Sequence, residues 1–347
     1  MPESVSARGP GRVNLIGEHT DYNAGLALPF AIARGVSVRA EAIDGGRVLA
    51  HAADLGERDA FALADPGGRR AHDGWRAFVR GIVGELQAAG YTLRPARLEI
   101  GGDLPAGAGL SSSAALSTAL AYALLGVAGQ APPADLRELA RLCSRVENEW
   151  VGANTGLLDQ LAVLYGRVGH ALRIDFATLD VRPVPLRLGG WRLATLESGA
   201  THSLAASGYN DRRAECEAAC AALGVRTLRE ATPAQVETLA DRTLRARARH
   251  VVGENGRVDA MVAALERGDL ERAGRLLDAS HASLRDDYAA SVPAVEATVA
   301  RAKAAGAAGA RMVGGGFGGS VLALFAPGVE PPADAFAVTP GAAAALV

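Results

Sequence analysis

A β-prone run, ARLEIGGDL (Ala96 to Leu104), leads through the loop LPAGAGLSSSAA (Leu104 to Ala115) into a small-residue helical pattern from Leu110 to Leu125. Strand, glycine-rich turn and helix in that order leave few ways to fold. Gly107 and Gly109 can take backbone angles closed to other residues, which turns main-chain N–H groups inward toward an anion. The serines Ser111, Ser112 and Ser113 fall where the helix begins. A helix start offers unpaired N–H groups and the positive end of the macrodipole, so a phosphate is stabilised there without any lysine. Taken alone, the loop reads equally well as a serine-capped helix start, because glycine loops before helices are weak motifs.

Composition narrows the choice. Of the 36 Lys and Arg residues only Lys303 is lysine, and it lies in RAKAAGAAGA. A P-loop with its G-x-x-x-x-G-K-[ST] signature is therefore excluded. The V-A-I-K, D-F-G and H-R-D motifs of protein kinases are also absent. Phosphate chemistry in this chain must rest on arginine, backbone amides and a metal ion.

At 347 residues the chain exceeds the size at which one hydrophobic core stops growing, so two domains with a site between them are expected. Hydrophobic residues at 49% and charged residues at 21% describe a globular protein rather than a disordered one. The formal net charge of −2 gives no reason to bind nucleic acid, and the basic run RTLRARARH (Arg242 to His250) reads as a solvated helix face. Cys143, Cys216 and Cys220 form no metal-ligand pattern and fit a reduced, cytoplasmic protein. The start MPESVSARGP has no signal-peptide pattern, and no apolar run approaches the ~20 residues of a membrane helix, so neither secretion nor a membrane partner is expected.

Along the chain, Leu26 to Ile43 reads as strand with a proline-marked break, and Trp75 to Gly90 and Asp135 to Trp150 read as amphipathic helices. HALRIDF and WRLATLESG are β-like. Residues 208 to 305 are largely helical, and Gly309 to Ala326 reads as strand, glycine loop, strand. A boundary near Phe176 divides the chain into 1–175 and 176–347.

Four segments carry polar chemistry. GRVNLIGEHTDYNAG (Gly11 to Gly25) gathers Arg12, Glu18, His19 and Asp21 around a short apolar core, a set suited to several hydroxyls because carboxylates only accept hydrogen bonds while imidazole donates or accepts. In TGLLDQ (Thr155 to Gln160), Asp159 sits among apolar neighbours that would desolvate it, making it a candidate base or hydroxyl-orienting group. GGGFGGS (Gly314 to Ser320) has five glycines, which implies close approach of backbone to another group or a β-bulge. HSLAASGYNDRRAEC (His202 to Cys216) places Tyr209 and Asn210 at a helix start, where a capped surface helix is the alternative.

Taken in order, these segments resemble the GHMP family of small-molecule kinases. LPAGAGLSSSAA looks like the family's second, nucleotide-binding motif and GGGFGGS like its third. HVVGENGRV (His250 to Val258) and SLRDDYAAS (Ser283 to Ser291) look like further segments of a sugar-kinase member, so the similarity spans nearly the whole chain. The resemblance implies an α+β, two-domain fold, with an N-terminal part (1–175) like ribosomal protein S5 domain 2 and a ferredoxin-like C-terminal part (176–347). It implies ATP and Mg²⁺, with galactose as the acceptor phosphorylated at its anomeric hydroxyl by a monomer.

By the same resemblance Arg12 would stabilise the transferring phosphoryl group and Asp159 would face the acceptor hydroxyl. Glu18, His19, Asp21, Gly156 and Tyr209 would hold the sugar. Gly107, Ala108, Gly109, Leu110, Ser111, Ser112 and Ser113 would wrap the ATP phosphates, and Ser113 and Glu147 would ligate Mg²⁺. GWRAFVRG carries Arg76 where many members have asparagine. A family kinase for N-acetylgalactosamine or arabinose, or a non-catalytic sugar and nucleotide sensor, remains an alternative.

Overall fold

The computed structural model describes residues 2–69, 74–105, 109–153, 155–200 and 205–347. The first strand, β1 (Ser4–Asn14), follows an alternating start and is then buried from Gly9 onward. That change has a local cause. A Cβ on Gly9 would collide with the Ala115 carbonyl of the small-residue helix packed across it. The short β2 (Leu26–Ala27) precedes β3 (Pro29–Ala42), which pairs antiparallel with β1 from Ser4↔Glu41 to Asn14↔Pro29, with a bulge between Pro10 and Arg12. The bulge sets Arg12 where its own N–H donates to the Leu110 carbonyl at 3.0 Å.

The strands β4 (Arg47–Ala52), β5 (Glu57–Ala62) and β6 (Ala96–Gly102) extend this sheet. The helix α2 (Ser112–Val127) packs on it, and α1 (Gly74–Ala88) and α3 (Leu136–Arg145) pack against α2. One core cluster joins Val38, Val48 and Leu98 of the sheet to Val79, Ile82, Leu120 and Leu124 of the helices. Nearly every α2 residue is buried, which explains a sequence apolar on all sides rather than along one stripe.

The helix expected from Asp135 to Trp150 is two elements. The Asp135 side chain caps α3, and beyond Arg145 the chain widens into a π-turn, Val146–Val151, that ends on Gly152 at φ +93°. Such widened turns concentrate at functional sites. Here the turn carries Glu147, whose buried carboxylate accepts three hydrogen bonds and so fixes the backbone that periodicity alone would continue as α-helix. The short α4 (Leu158–Leu164) follows.

The strands β7 (His170–Asp175) and β8 (Asp180–Pro185) form a hairpin that joins β2. Then come β9 (Arg192–Glu197) and the helices α5 (Ala205–Leu223), α6 (Pro233–Glu237), α7 (Arg242–Arg267), α8 (Leu270–Asp286) and α9 (Pro293–Ala304). The chain ends with β10 (Ala307–Met312), β11 (Ser320–Phe325), β12 (Phe336–Val338) and β13 (Ala345–Leu346). The six-stranded sheet has the order β13-β1-β3-β6-β4-β5, parallel only between β4 and β6, and the four-stranded sheet is β10-β11-β9-β12, all antiparallel. Antiparallel sheets with helices on one face make this an α+β fold.

A separate cluster joins Ile16, Leu28 and Phe30 near β1 to Val258 and Met261 of α7 and Leu322 of β11, so the first sheet and the later layers share a core. Arg311 of β10 spans the same junction without any exposure, donating from Nη1 to the Asn14 and Leu15 carbonyls at 2.8 and 3.0 Å. Its Nη2 lies 2.9 Å from Glu18 Oε1. Removing one partner of so buried a pair costs about 3–5 kcal/mol, which makes this contact a fixed strut.

The basic run RTLRARARH is helical but not a solvated face throughout. Arg242 and Arg249 are exposed, whereas Arg247 and His250 are buried. Arg247 Nε pairs with Glu215 at 2.7 Å and its Nη1 donates to the Asp287 carbonyl at 2.6 Å, which offsets the loss of water. Among the described residues, no helix is long and apolar enough to cross a membrane.

Candidate active site

Beyond β1 the chain turns through Gly17 at φ +99° and His19 at φ +61°. A left-handed backbone at a residue with a Cβ is a strain that surrounding structure must hold in place. The restraints are visible. Asn23 Nδ2 donates to the His19 carbonyl at 2.9 Å, and the Thr20 hydroxyl lies 2.9 Å from the Gly17 carbonyl and 2.7 Å from the Leu26 carbonyl. From α7, Glu254 accepts the Gly17 N–H at 3.0 Å, Asn255 Oδ1 accepts the Leu26 N–H at 2.8 Å, and His250 Nε2 lies 3.2 Å from the Glu18 carbonyl. Glu254 is fully buried, yet Arg257 and His250 bring its carboxyl down to about 2. The HVVGENGRV segment is thus a clamp on the turn that carries Glu18, His19 and Asp21.

Those three side chains, with Arg12, Gly156, Asp159 and Tyr209, line a cavity of about 100 Å³. Burial pushes the Asp21 carboxyl up to about 6, reinforced by the neighbouring Asp159 and Glu18 carboxylates. Burial also pulls His19 down to about 3, with His250 adding to the effect, so its imidazole is neutral at physiological pH. Tyr209 is held well above the ordinary phenol value by burial and by Asp21. Gly156 leaves room for the Asp21 carboxylate, which a Cβ at that position would strike.

A second cavity of about 300 Å³ adjoins the first and shares Arg12 and Asp159 with it. Its wall contains Gly109, Leu110, Ser111, Ser112 and Ser113. Gly107 and Ala108 lie outside the described residues. No side chain caps the start of α2, and Ser111, at φ +57°, turns its hydroxyl to Asp159 Oδ2 instead. Ser111 is therefore not a helix cap, and among the described residues the N–H groups at the start of α2 have no side-chain acceptor. At the seam, Arg12 Nε pairs with Asp159 Oδ1 at 2.7 Å and Arg12 Nη1 donates to the Gly109 carbonyl at 2.7 Å.

Glu147 stands behind this wall. Its Oε1 accepts from Ser113 Oγ at 2.8 Å, and its Oε2 accepts from Gln160 Nε2 at 2.7 Å and Thr155 Oγ1 at 3.2 Å. Burial, with the Asp159 charge, raises its pKa, against the three hydrogen bonds that lower it. One carboxylate and one hydroxyl suit Mg²⁺, which keeps several waters and takes its other ligands from phosphate oxygens. Among the described residues no cluster of three or more His, Cys, Asp or Glu could hold a metal by itself.

Several lining residues were not assigned to a site from sequence. Thr155 and Leu158 lie inside the TGLLDQ segment, and their signal was their proximity to Asp159. Gly314 and Gly315 line both cavities, and the Gly314 N–H donates to Glu18 Oε1 at 2.8 Å. A Cβ on Gly315 would press on the Tyr209 ring, so the glycines of GGGFGGS serve close approach. Gln160 and Arg311 had no local signal.

Comparisons with known proteins agree along the chain. The family models described as GHMP kinases N terminal domain and GHMP kinases C terminal match residues 77–167 and 261–339. A galactokinase galactose-binding signature matches residues 2–41. A galactokinase of Roseiflexus sp. is 44% identical over 334 residues, covering 92% of this chain and 83% of that protein. One from Streptomyces coelicolor is 42% identical over 346 residues, covering 95% and 86%. The structure of Lactococcus lactis galactokinase complexed with galactose superposes with a TM-score of 0.91 at 32% identity, covering 99% of this chain and 95% of that one. Methanococcus jannaschii mevalonate kinase, at 16% identity and a TM-score of 0.67 over 93% and 90% of the two chains, shares the fold.

Proposed function

The chain belongs to the galactokinase family of GHMP kinases, and on that footing we propose that it transfers the γ-phosphoryl group of ATP to the anomeric hydroxyl of D-galactose. The product is galactose 1-phosphate, the entry compound of galactose catabolism. The observation that carries this reading is the position of Asp159, whose two oxygens meet Arg12 and Ser111 where the two cavities join. In this assignment Glu18, His19, Asp21, Gly156 and Tyr209 hold the sugar in the smaller cavity. The α2 start, from Gly109 through Ser113, holds the phosphates in the larger.

Phosphoryl transfer through a loose transition state asks for an acceptor oxygen in line with the γ-phosphorus and for charge stabilisation on the phosphoryl oxygens. Asp159 orients the anomeric hydroxyl and takes its proton as the new O–P bond forms and the bond to the β-phosphate oxygen breaks. Arg12, held by Asp159 and the Gly109 carbonyl, presents a fixed cation with forked donors to the moving group. Ser113 and Glu147 would hold Mg²⁺, which would neutralise negative charge on the triphosphate. Binding energy from the sugar hydroxyls and the triphosphate supplies the alignment.

We place the division of labour at 1–175 and 176–347, with the β7–β8 hairpin straddling the joint. We place the protein in the cytoplasm as a monomer, where its free Cys143, Cys216 and Cys220 would stay reduced. The test is ATP consumption with galactose, N-acetylgalactosamine and arabinose in parallel. Galactose should give the highest kcat/KM. A higher value for either other sugar would reassign the substrate, and binding of galactose and ATP without turnover would make the protein a sensor.

A further inference from the structure

Behind His19, on the side away from the cavity, lies a row of buried groups that phosphoryl transfer does not use. His19 Nδ1 is 2.9 Å from the Tyr22 hydroxyl, which is 2.7 Å from the Tyr288 hydroxyl, which is 3.1 Å from Cys216 Sγ. These residues come from the loop after β1, from α5 and from the turn after α8. The Tyr288 ring also packs against His19 with centroids 4.6 Å apart and the planes tilted by 40°. Hydrophobic packing alone would not align four heteroatoms in a line.

Proton counting restricts what the row can be. Tyr22, Tyr288 and Cys216 each have one proton to donate. Two arrangements fill all three links without stranding a hydroxyl proton. In the first, Cys216 donates to Tyr288, Tyr288 to Tyr22 and Tyr22 to His19 Nδ1, so the ring proton sits on Nε2. In the second every link runs the other way, and Nε2 faces the cavity as a bare lone pair.

Two considerations choose the first. A phenol O–H to an imidazole nitrogen joins a good donor to a good acceptor, whereas the second arrangement gives up that acceptor for a phenol oxygen; the thiol link is weak in either direction. The cavity gives the other. Glu18, Asp21 and Asp159 line it as carboxylates that accept only, and a bare Nε2 would add another acceptor beside them. His19 Nε2 is buried without a hydrogen-bond partner of standard geometry among the described residues, and the Gly315 backbone favours a protonated ring. A donor is thus held ready for a ligand oxygen.

We propose that Cys216, Tyr288 and Tyr22 form a one-way hydroxyl relay that fixes His19 as the Nε2–H tautomer and so makes it a hydrogen-bond donor to one sugar hydroxyl. That hydroxyl donates its own proton to a carboxylate and accepts from His19, which ties acceptance of the sugar to a ring state set from behind. Tyr22 and Tyr288 are positioning residues, acting on specificity through His19. The inference rests on the smaller cavity being the sugar site.

The direct test is a long-range ¹H–¹⁵N spectrum of the ligand-free protein labelled with ¹⁵N-histidine, with His19 assigned by its loss in His19→Gln. A protonated Nε2 and an unprotonated Nδ1 are expected, and a protonated Nδ1 or an even mixture would overturn the relay. In Tyr22→Phe the His19 signals should move and the galactose KM should rise about tenfold with kcat changed less than about threefold, the loss of one hydrogen bond. Tyr288→Phe, one link further away, should raise KM about threefold. Unchanged signals and KM in whichever of these variants folds would overturn the proposal. Failure of galactose as a substrate would sink the sugar-site reading, while the ligand-free spectrum would still decide the tautomer.

Discussion

The sugar side of the cleft is built from buried side chains and the phosphate side from main chain and hydroxyls, although both start from Arg12 and Asp159. Glu18 and His19 are buried, and the acidities of His19, Asp21 and Tyr209 are displaced by that burial. On the other side the wall runs along Gly109 to Ser113, where Ser112 is exposed and no lysine lines the cavity among the described residues. The contrast follows from the ligands. Neutral hydroxyls are told apart only by donors and acceptors fixed in desolvated positions, whereas a triphosphate announces itself by charge and can be met by a helix start and one arginine.

The sharpest way to break this comparison is at the seam. Asp159→Asn should lower kcat by about 10³-fold while leaving galactose affinity within about threefold, since a general base contributes roughly 10²–10⁴. Near-normal kcat would move the acceptor's partner elsewhere. A smaller effect tests whether the two sides are separable. Gly156→Ala drives a methyl into the Asp21 carboxylate and should raise the galactose KM about tenfold, with the ATP KM unchanged. A shift in the ATP KM instead would show that the cavities are not independent.

The smallest effect concerns the cost of the sugar side. Because the folded protein raises Asp21 from 3.8 to about 6, its stabilising contribution is full below about pH 4 and is lost as pH rises through about 6. Above that pH its buried charge costs on the order of 3 kcal/mol at most. Asp21→Asn should therefore raise the melting temperature at pH 8 by several degrees and by almost nothing at pH 4. An equal gain at both would trace the effect to something other than the charge.

Much of the cleft is written locally. Arg12, Glu18, His19 and Asp21 lie within ten positions, from the end of β1 into the turn after it, and Gly156 lies just before Asp159 of α4, so residue type and spacing brought them forward. The strands and helices were legible where glycine, proline and periodicity mark them. What stayed hidden depends on distance along the chain. RTLRARARH reads as solvated because charge patterning cannot show that Glu215 and the Asp287 carbonyl wait for Arg247. The π-turn at Glu147 keeps the amphipathic pattern of α3, and its cause lies in Ser113, Thr155 and Gln160. Arg311 and the Tyr22, Tyr288 and Cys216 row are assembled from segments whose neighbours only the fold supplies.

The most direct test of the whole account is the ³¹P spectrum of the product made from ATP and galactose. Phosphorus coupled to the anomeric proton of galactose is predicted, with ADP formed in equal amount. Phosphorus coupled to a proton at C6, or ADP formed without any sugar phosphate, would contradict an acceptor hydroxyl held at Asp159.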